Sequence, residues 1–508
     1  MSTDLGKKVI DNFIEINKIP RGSRNEAGIS KHMLEFGNGL GLKSYTDDAN
    51  NVIIVKPAQN TDHTDPIILQ AHMDMVCAVD DAHKDYDFIK NPIYPKQEDN
   101  IMTGRGTKDG VYDDSIKTTL GADDGIGVAS VMALLQDEGT ITHPPLIAIF
   151  TTGEEIGMVG AKKLTKQFIE QAAKELDLSK ARLINVDEEQ DGRFCYGCAG
   201  GVGVELTLNF SREKEVMHSD KAYKISISGL LGGHSGIDID KRRANANRLA
   251  GRILYYFIHT SEIDVALYQI KGGSAENAIA AGAETVISVS EQDTGKLQTA
   301  FEEIYEDFKK EYHEVETGMS IVLEETTLPE NMPILKEDRD RIVKMIYLMP
   351  NDVLGFLQCD GYSVVETSSN LGIINTNDET IVFECSIRSF YDVRRDFVAS
   401  QMELLSQLFN FSIYTHDDYS GWAQSPDSKL KEVFEDSYKY LFPNDPVGGR
   451  SVHAGLECGV FTGILGDIDM IACGPTIHDV HTIKETLYLD TVPKIIELLI
   501  EVLKRLSA

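Results

Sequence analysis

"IILQAHMDMV", residues Ile67–Val76, is an apolar run that ends by delivering His72 and Asp74, two ionisable side chains one residue apart. Such a run reads as a strand driven into a core. Alternate residues of a strand face the same side, so the two groups lie together just past its end. A buried charge is costly unless it is paired or bound to a metal. Open α/β sheets bind ligands beyond the carboxyl ends of their strands, so the end of this strand is a candidate site.

Neighbouring stretches repeat the pattern. Asp123 opens a helical segment in "GADDGIG", Glu154 and Glu155 follow the apolar "LIAIFTTG", and Asp187 closes "ARLINVD". One acid after a strand is commonplace, and Asp123 alone reads as a helix N-cap. Four apolar runs releasing carboxylates or imidazole toward one rim would repel unless cations lie among them. Histidine with carboxylates suits zinc or a similar divalent ion, and the number of groups suggests two ions.

Around these stretches helix and strand patterns alternate. "GKKVIDNFIEINKI" sets Val9, Ile10, Phe13 and Ile16 near helical spacing, and "NVIIVKPA" reads as a strand. In "DDGIGVASVMALLQDE", Val128, Val131, Met132 and Leu135 form a core-facing stripe. Short apolar runs separated by helices predict an α/β sheet covered on both faces. From about residue 202 the texture changes. "KAYKISISGL" alternates like a half-exposed strand, "ANANRLAGRILYYFI" is helical, acidic helical segments follow near 296–316, and "ETIVFECSIRSF" is again a strand. This predicts an α+β domain inserted into the first, whose sheet "DMIACGPT" and the terminal "VPKIIELLIEVLKRL" helix then complete. The expected boundaries are 1–201 and 417–508 for the first domain and 202–416 for the insertion.

Bulk composition narrows the partners. A chain of 508 residues with net charge -32 excludes a nucleic-acid backbone or an anionic membrane as an expected partner. "MSTDLGKKVIDNF" lacks the apolar region of a signal peptide, and no run approaches the roughly 18 apolar residues of a membrane span. Seven scattered cysteines suit a reducing compartment, so a cytoplasmic location is expected. "CYGC" (Cys195, Cys198) has the spacing of a metal knuckle but no second pair nearby, and reads as a tight glycine-rich turn.

"LQAHMDMV", "TTLGADDGIG", "TTGEEIGM", "INVDEE", "GCAGG", "GGHSG", "HAGLECG" and "GPTIHDVH" occur in this order along nearly the whole chain. Together they resemble the aminoacyl-histidine (Xaa-His) dipeptidase branch of the di-zinc aminopeptidase/carboxypeptidase-like metallopeptidases. The resemblance implies an α/β fold, a mixed-sheet catalytic domain carrying an inserted α+β lid domain. It implies His72 and Asp187 on one Zn2+, Glu155 and His481 on the other, and Asp123 bridging them, with Mn2+ or Co2+ as substitutes. Asp74 would hold the His72 ring in its ligating tautomer. Glu154 would be the general base, taking a proton from the attacking water and passing it to the leaving amine.

The same resemblance implies that His234 in "GGHSG" donates to the oxyanion, often across a dimer formed by the lid. Asn277, Arg388, His453 and Gly455 would hold the free carboxylate of a small peptide, for which the planar fork of Arg388 is suited. The implied activity is hydrolysis of unblocked dipeptides, Xaa-His among them. A related tripeptidase or N-acyl amino-acid deacylase is the alternative. A binding protein on the same fold would normally lack a ligand or the base, and none is missing here. Two stretches depart from the pattern. "KDGVYDDSIK" (Lys108–Lys117) is inserted before Asp123 and reads as a solvated loop, and "ENAIAAGA" around Asn277 lacks the usual basic residues and proline. "TIKETLY" after His481 reads as plain surface.

Overall fold

The computed structural model describes residues 2–214, 220–359 and 361–508. It divides into two compact units. The first comprises the chain up to Cys198, Trp422–Ser451 and Leu456–Ala508; the second comprises Ala199–Gly421 and Val452–Gly455.

In the first unit an eight-stranded mixed sheet runs in the order Lys43–Thr46, Val52–Lys56, Leu146–Thr151, Ile67–His72, Arg182–Asn185, Asp469–Ala472, Arg193–Cys198, Gly448–Val452. Its centre is parallel: Ile67–His72 pairs in parallel with both Leu146–Thr151 and Arg182–Asn185, and Asp469–Ala472 pairs in parallel with Arg182–Asn185. Every residue of Ile67–His72 and Leu146–Thr151 is buried, as expected for strands covered on both faces. Register brings the strand ends level, with His72 opposite Thr151 and Gln70 opposite Asn185. The loops that follow therefore leave the sheet side by side.

The helix Ala122–Leu135 is buried all round, apart from Asp123, rather than along one stripe. It lies against the strand Ile67–His72 and the helix Ser2–Ile16, which also packs on the terminal helix Val492–Arg505. Val9, Phe13, Ile126, Val131, Ile495 and Leu499 share this core.

Two local expectations are corrected. The Lys108–Lys117 stretch is a β-hairpin, not a loop: Ile101–Lys108 pairs with Val111–Thr118. Its turn is Asp109-Gly110, both at positive φ (54° and 76°), which is the twist a two-residue hairpin needs and Asp-Gly supplies. Asp114 secures it by accepting from Lys96, Arg105 and Tyr112. "CYGC" is not a turn either. It lies in the strand Arg193–Cys198, where both cysteines are buried and burial pushes their thiols far up.

The second unit is built on a nine-stranded antiparallel sheet. Its order is Ser320–Thr326, Asp220–Ser228, Ala283–Ser290, Ala266–Gly272, Tyr362–Thr376, Thr380–Ser389, Gly200–Asn209, Ser412–Tyr419, with Asp352–Cys359 also paired to Tyr362–Thr376. Helices Ala246–Tyr255, Thr294–Tyr312, Lys336–Leu348 and Asp392–Phe409 contribute to its apolar core. The first of them starts where the Asn245 side chain accepts from the N–H groups of Asn247 and Arg248, an N-cap that satisfies otherwise orphaned donors. Among the described residues no helix is long and apolar enough to cross a membrane.

Candidate functional site

Level strand ends gather the acids of the first unit. His72 Nε2 lies 3.0 Å from Asp123 Oδ1 and 3.7 Å from Asp187 Oδ1. His481 Nε2 lies 3.0 Å from Asp123 Oδ2 and 2.9 Å from Glu155 Oε2. Asp123 thus offers one carboxylate oxygen to each imidazole. The two groups, His72–Asp123–Asp187 and Asp123–Glu155–His481, each have the spacing of metal ligands. Glu155 Oε1 is buried and has no hydrogen-bond partner among the described residues. An orphaned carboxylate oxygen beside these imidazoles fits a cation.

Behind His72 sits Asp74, fully buried. Its backbone oxygen is 3.2 Å from His72 Nδ1 and its Oδ1 is 3.5 Å away. Ser23 Oγ and the backbone N–H of Glu154 donate to the same carboxylate. With Nδ1 directed at Asp74, Nε2 is the ring nitrogen that faces Asp123 and Asp187. Asp74 is not on the strand itself, which ends at His72.

Charge is badly balanced here. Burial would lower His72, but Asp187 and the bonds with Asp123 and Asp74 outweigh it and raise that imidazole well above its ordinary value. Hydrogen bonds with Asp123 and Glu155 raise His481 to about 10. Burial, then the neighbouring acids Glu457, Glu155 and Asp123, push Glu154 up to about 8 against the pull of His72. Asp187 is raised well above the usual range by burial and by Asp124. Two imidazoles cannot neutralise this many carboxylates, so the cluster holds on to protons where cations are absent from the balance.

In the second unit the sequence-predicted residues also come together. His234 stands in the short strand Gly233–His234, paired with Ala278–Ile279, and Asn277 accepts at its carbonyl from Ser235 N–H. His234 Nδ1 accepts from the N–H groups of both Gly236 and Ile237. Its proton therefore resides on Nε2. Arg388, buried, donates to Tyr419 Oη at 3.1 Å, and its Nε has no partner among the described residues. His453 Nε2 pairs with Ser368 Oγ at 2.7 Å. A Cβ on Gly455 would lie 2.7 Å from Tyr419 Oη, and one on Gly236 2.2 Å from the His453 carbonyl. Only glycine permits these approaches. Burial, then Arg388, lowers His234 to about 4 and His453 to about 3.

Among the acids that escaped the sequence reading, three are at most 2% exposed. Asp124, joined to Asp123 by a cis peptide bond, accepts from the His72 N–H. Glu457 accepts from Thr151 Oγ1 and from Gln70 Nε2. Glu485, in the stretch read as plain surface, is 2% exposed and accepts four backbone N–H groups. Its position four residues after His481 was the available signal. For the other two the sequence offers none.

Imidazoles and carboxylates around a shared aspartate, at the level ends of buried parallel strands, are the layout of a metal-dependent hydrolase. The chain matches Peptidase family M20/M25/M40 over residues 68–505 and belongs to that family. The cytosol non-specific dipeptidase of Escherichia coli (strain K12) is 32% identical over 501 residues, covering 98% of this chain and 97% of that protein. The crystal structure of aminoacylhistidine dipeptidase from Vibrio alginolyticus superposes with a TM-score of 0.86 at 31% identity, covering 98% of this chain and 96% of that one. Aminopeptidase PepT from Bacillus cereus, at 15% identity and a TM-score of 0.54 over 99% of both chains, shares the fold alone.

Proposed function

We propose that this chain is a dipeptidase that hydrolyses unblocked dipeptides, Xaa-His among them, using two divalent ions. One observation carries the reading: the two oxygens of Asp123 each lie 3.0 Å from a different imidazole, His72 and His481. His72 and Asp187 would hold one ion, Glu155 and His481 the other, and Asp123 both. The nitrogen and oxygen donors suit zinc, with Mn2+ or Co2+ as substitutes. The two full-length relatives are named as dipeptidases, which supports the substrate class.

Bound ions would polarise the scissile carbonyl and favour deprotonation of the attacking water. Glu154 acts as the base and then as the acid toward the departing amine. Burial and the neighbouring acids push its carboxyl up to about 8, and a carboxyl raised toward the working pH suits such a shuttle. Asp74 keeps the proton of His72 on Nδ1. In the second unit, the lid in this reading, His234 offers its Nε2–H to the oxyanion, and Arg388 with Asn277, His453 and Gly455 receives the peptide's free carboxylate.

The purified, metal-loaded chain is expected to split free dipeptides in preference to tripeptides and N-acylated amino acids. Glu154→Gln is expected to keep both ions by elemental analysis and to lose about 10²–10⁴-fold in kcat. Full turnover in that variant would remove Glu154 from the mechanism.

The second unit further supports a homodimer. Val393, Phe397, Leu404 and Leu408 are exposed along one face of the helix Asp392–Phe409, and Phe356 is exposed on the strand Asp352–Cys359. A second copy covers such a face by two-fold symmetry. Sedimentation is expected to give twice the chain mass, and Leu408→Glu to reduce it to one. Cytosolic residence is proposed by likeness to the Escherichia coli relative.

A further inference from the structure

Glu485 lies at the start of the turn that feeds Asp123 into the cluster. Its Oε2 accepts from Leu120 N–H at 2.8 Å and Gly121 N–H at 3.0 Å; its Oε1 accepts from Ala122 N–H at 2.7 Å and Asp123 N–H at 3.3 Å. Consecutive backbone N–H groups converging on one point form an anion-binding concavity. Here the anion comes from the chain itself. Gly121 has φ +70°, and a Cβ on it would lie 2.6 Å from Arg21 Nη2.

Arg21 closes the same turn from the other side. It is 1% exposed, and donates to the carbonyls of Met73 (3.1 Å), Asp74 (3.3 Å) and Gly121 (2.5 Å) and to Asn17 Oδ1 (3.0 Å). Burial lowers its pKa, and Glu485 followed by Asp74 offsets part of that. Between them these two buried side chains contact the backbone of Met73 and Asp74 and the turn leading into Asp123, and Glu485 belongs to the segment that carries His481.

We propose that Glu485 is the positioning residue for Asp123, an internal anion that fills the 120–123 concavity and ties the Asp123 turn to the turn bearing His481. The inference rests on the metal-centre reading above. Glu485 touches neither substrate nor the reacting atoms. It acts by fixing the backbone so that Asp123 presents one oxygen to each imidazole.

Glu485→Gln is the sharpest probe, because it keeps the shape while removing the negative charge and turning one of the two acceptor atoms into a donor. One amide oxygen still accepts two N–H groups, while the amide NH2 faces the other two as donor against donor. Glu485→Asp keeps the charge but is one methylene short. Zn2+ binding by the metal-free full chain is followed by calorimetry and elemental analysis, beside kcat, KM and far-UV circular dichroism. The wild type is expected to take two ions. Folded Glu485→Gln is expected to bind them about 10–100-fold more weakly, with kcat reduced by a similar factor and KM within about threefold; Glu485→Asp should lie between the two.

A folded Glu485→Gln chain with wild-type ion affinity and kcat overturns the proposal, whatever its melting temperature, because Glu485 is then only scaffold. Should Glu485→Gln not fold, the same affinities and rates are read on Glu485→Asp and decide in the same way. Failure of both to fold also overturns it, since a clamp confined to the site leaves the cores intact. A wild-type chain that binds no Zn2+ overturns this proposal and the metal-centre reading together; two bound ions with unaffected variants overturn this one alone.

Discussion

Histidines in the two units are driven in opposite directions. His72 and His481 are raised because acids outnumber them; His234 and His453 are lowered because burial and Arg388 leave no room for another positive charge. The same side chain thus sits in an anion-rich cluster in one unit and beside the buried Arg388 guanidinium in the other. An anion-rich cluster calls for cations. A buried arginine flanked by neutral imidazoles calls for an anion, and a peptide carboxylate supplies one.

The largest expected effect is the kcat loss of Glu154→Gln described above, which breaks the first cluster without removing its ion-binding groups. Next comes Arg388→Met. If Arg388 receives the substrate carboxylate, KM for dipeptides rises about 10–100-fold, on the scale of a lost charge-assisted fork. The same variant removes the positive neighbour of His453, so that imidazole titrates closer to its ordinary value by NMR. A drop in melting temperature with KM unchanged would make Arg388 structural instead.

A smaller effect concerns acid stability. His453, about 3 in the fold, and His234, about 4, both lie below the ordinary 6.5. Between those values the unfolded chain binds more protons than the folded one, so stability is fully present above about pH 6.5 and falls as pH drops toward 4 and 3. For the buried His453 the loss at low pH is on the order of a few kcal/mol. His453→Gln is expected to flatten this limb in urea unfolding between pH 7 and 4. An unchanged limb would place the acid sensitivity elsewhere.

Smallest of all is Gly110→Ala at the hairpin tip. Nothing lies within 4 Å of an added Cβ there, so only the positive φ resists it. It is expected to cost about 1 kcal/mol in thermal unfolding and to leave kcat unchanged.

Much of the fold was legible because period and punctuation carried it. The apolar runs at Ile67, Leu146 and Arg182 became neighbouring parallel strands, and the acids after them met because those strands end level. The hairpin was misread although Asp-Gly marked it: its strands are short of apolar alternation, with Val111 and Tyr112 exposed, so acidity masked the turn signal. Buried acids such as Asp124 and Glu457 were illegible for another reason. Composition assigns acids to the surface, and only a three-dimensional supply of N–H and O–H donors pays for burying one.

The sequence alone determined the alternation of strands and helices, the inserted unit and the residue types at the strand ends, since each is fixed by local spacing or by chain order. Tertiary structure decided which oxygen of Asp123 faces which imidazole and that Glu485 lies inside. Those properties depend on groups separated by up to hundreds of residues, and hydrogen bonds act over about 3 Å of space, with no regard to distance along the chain.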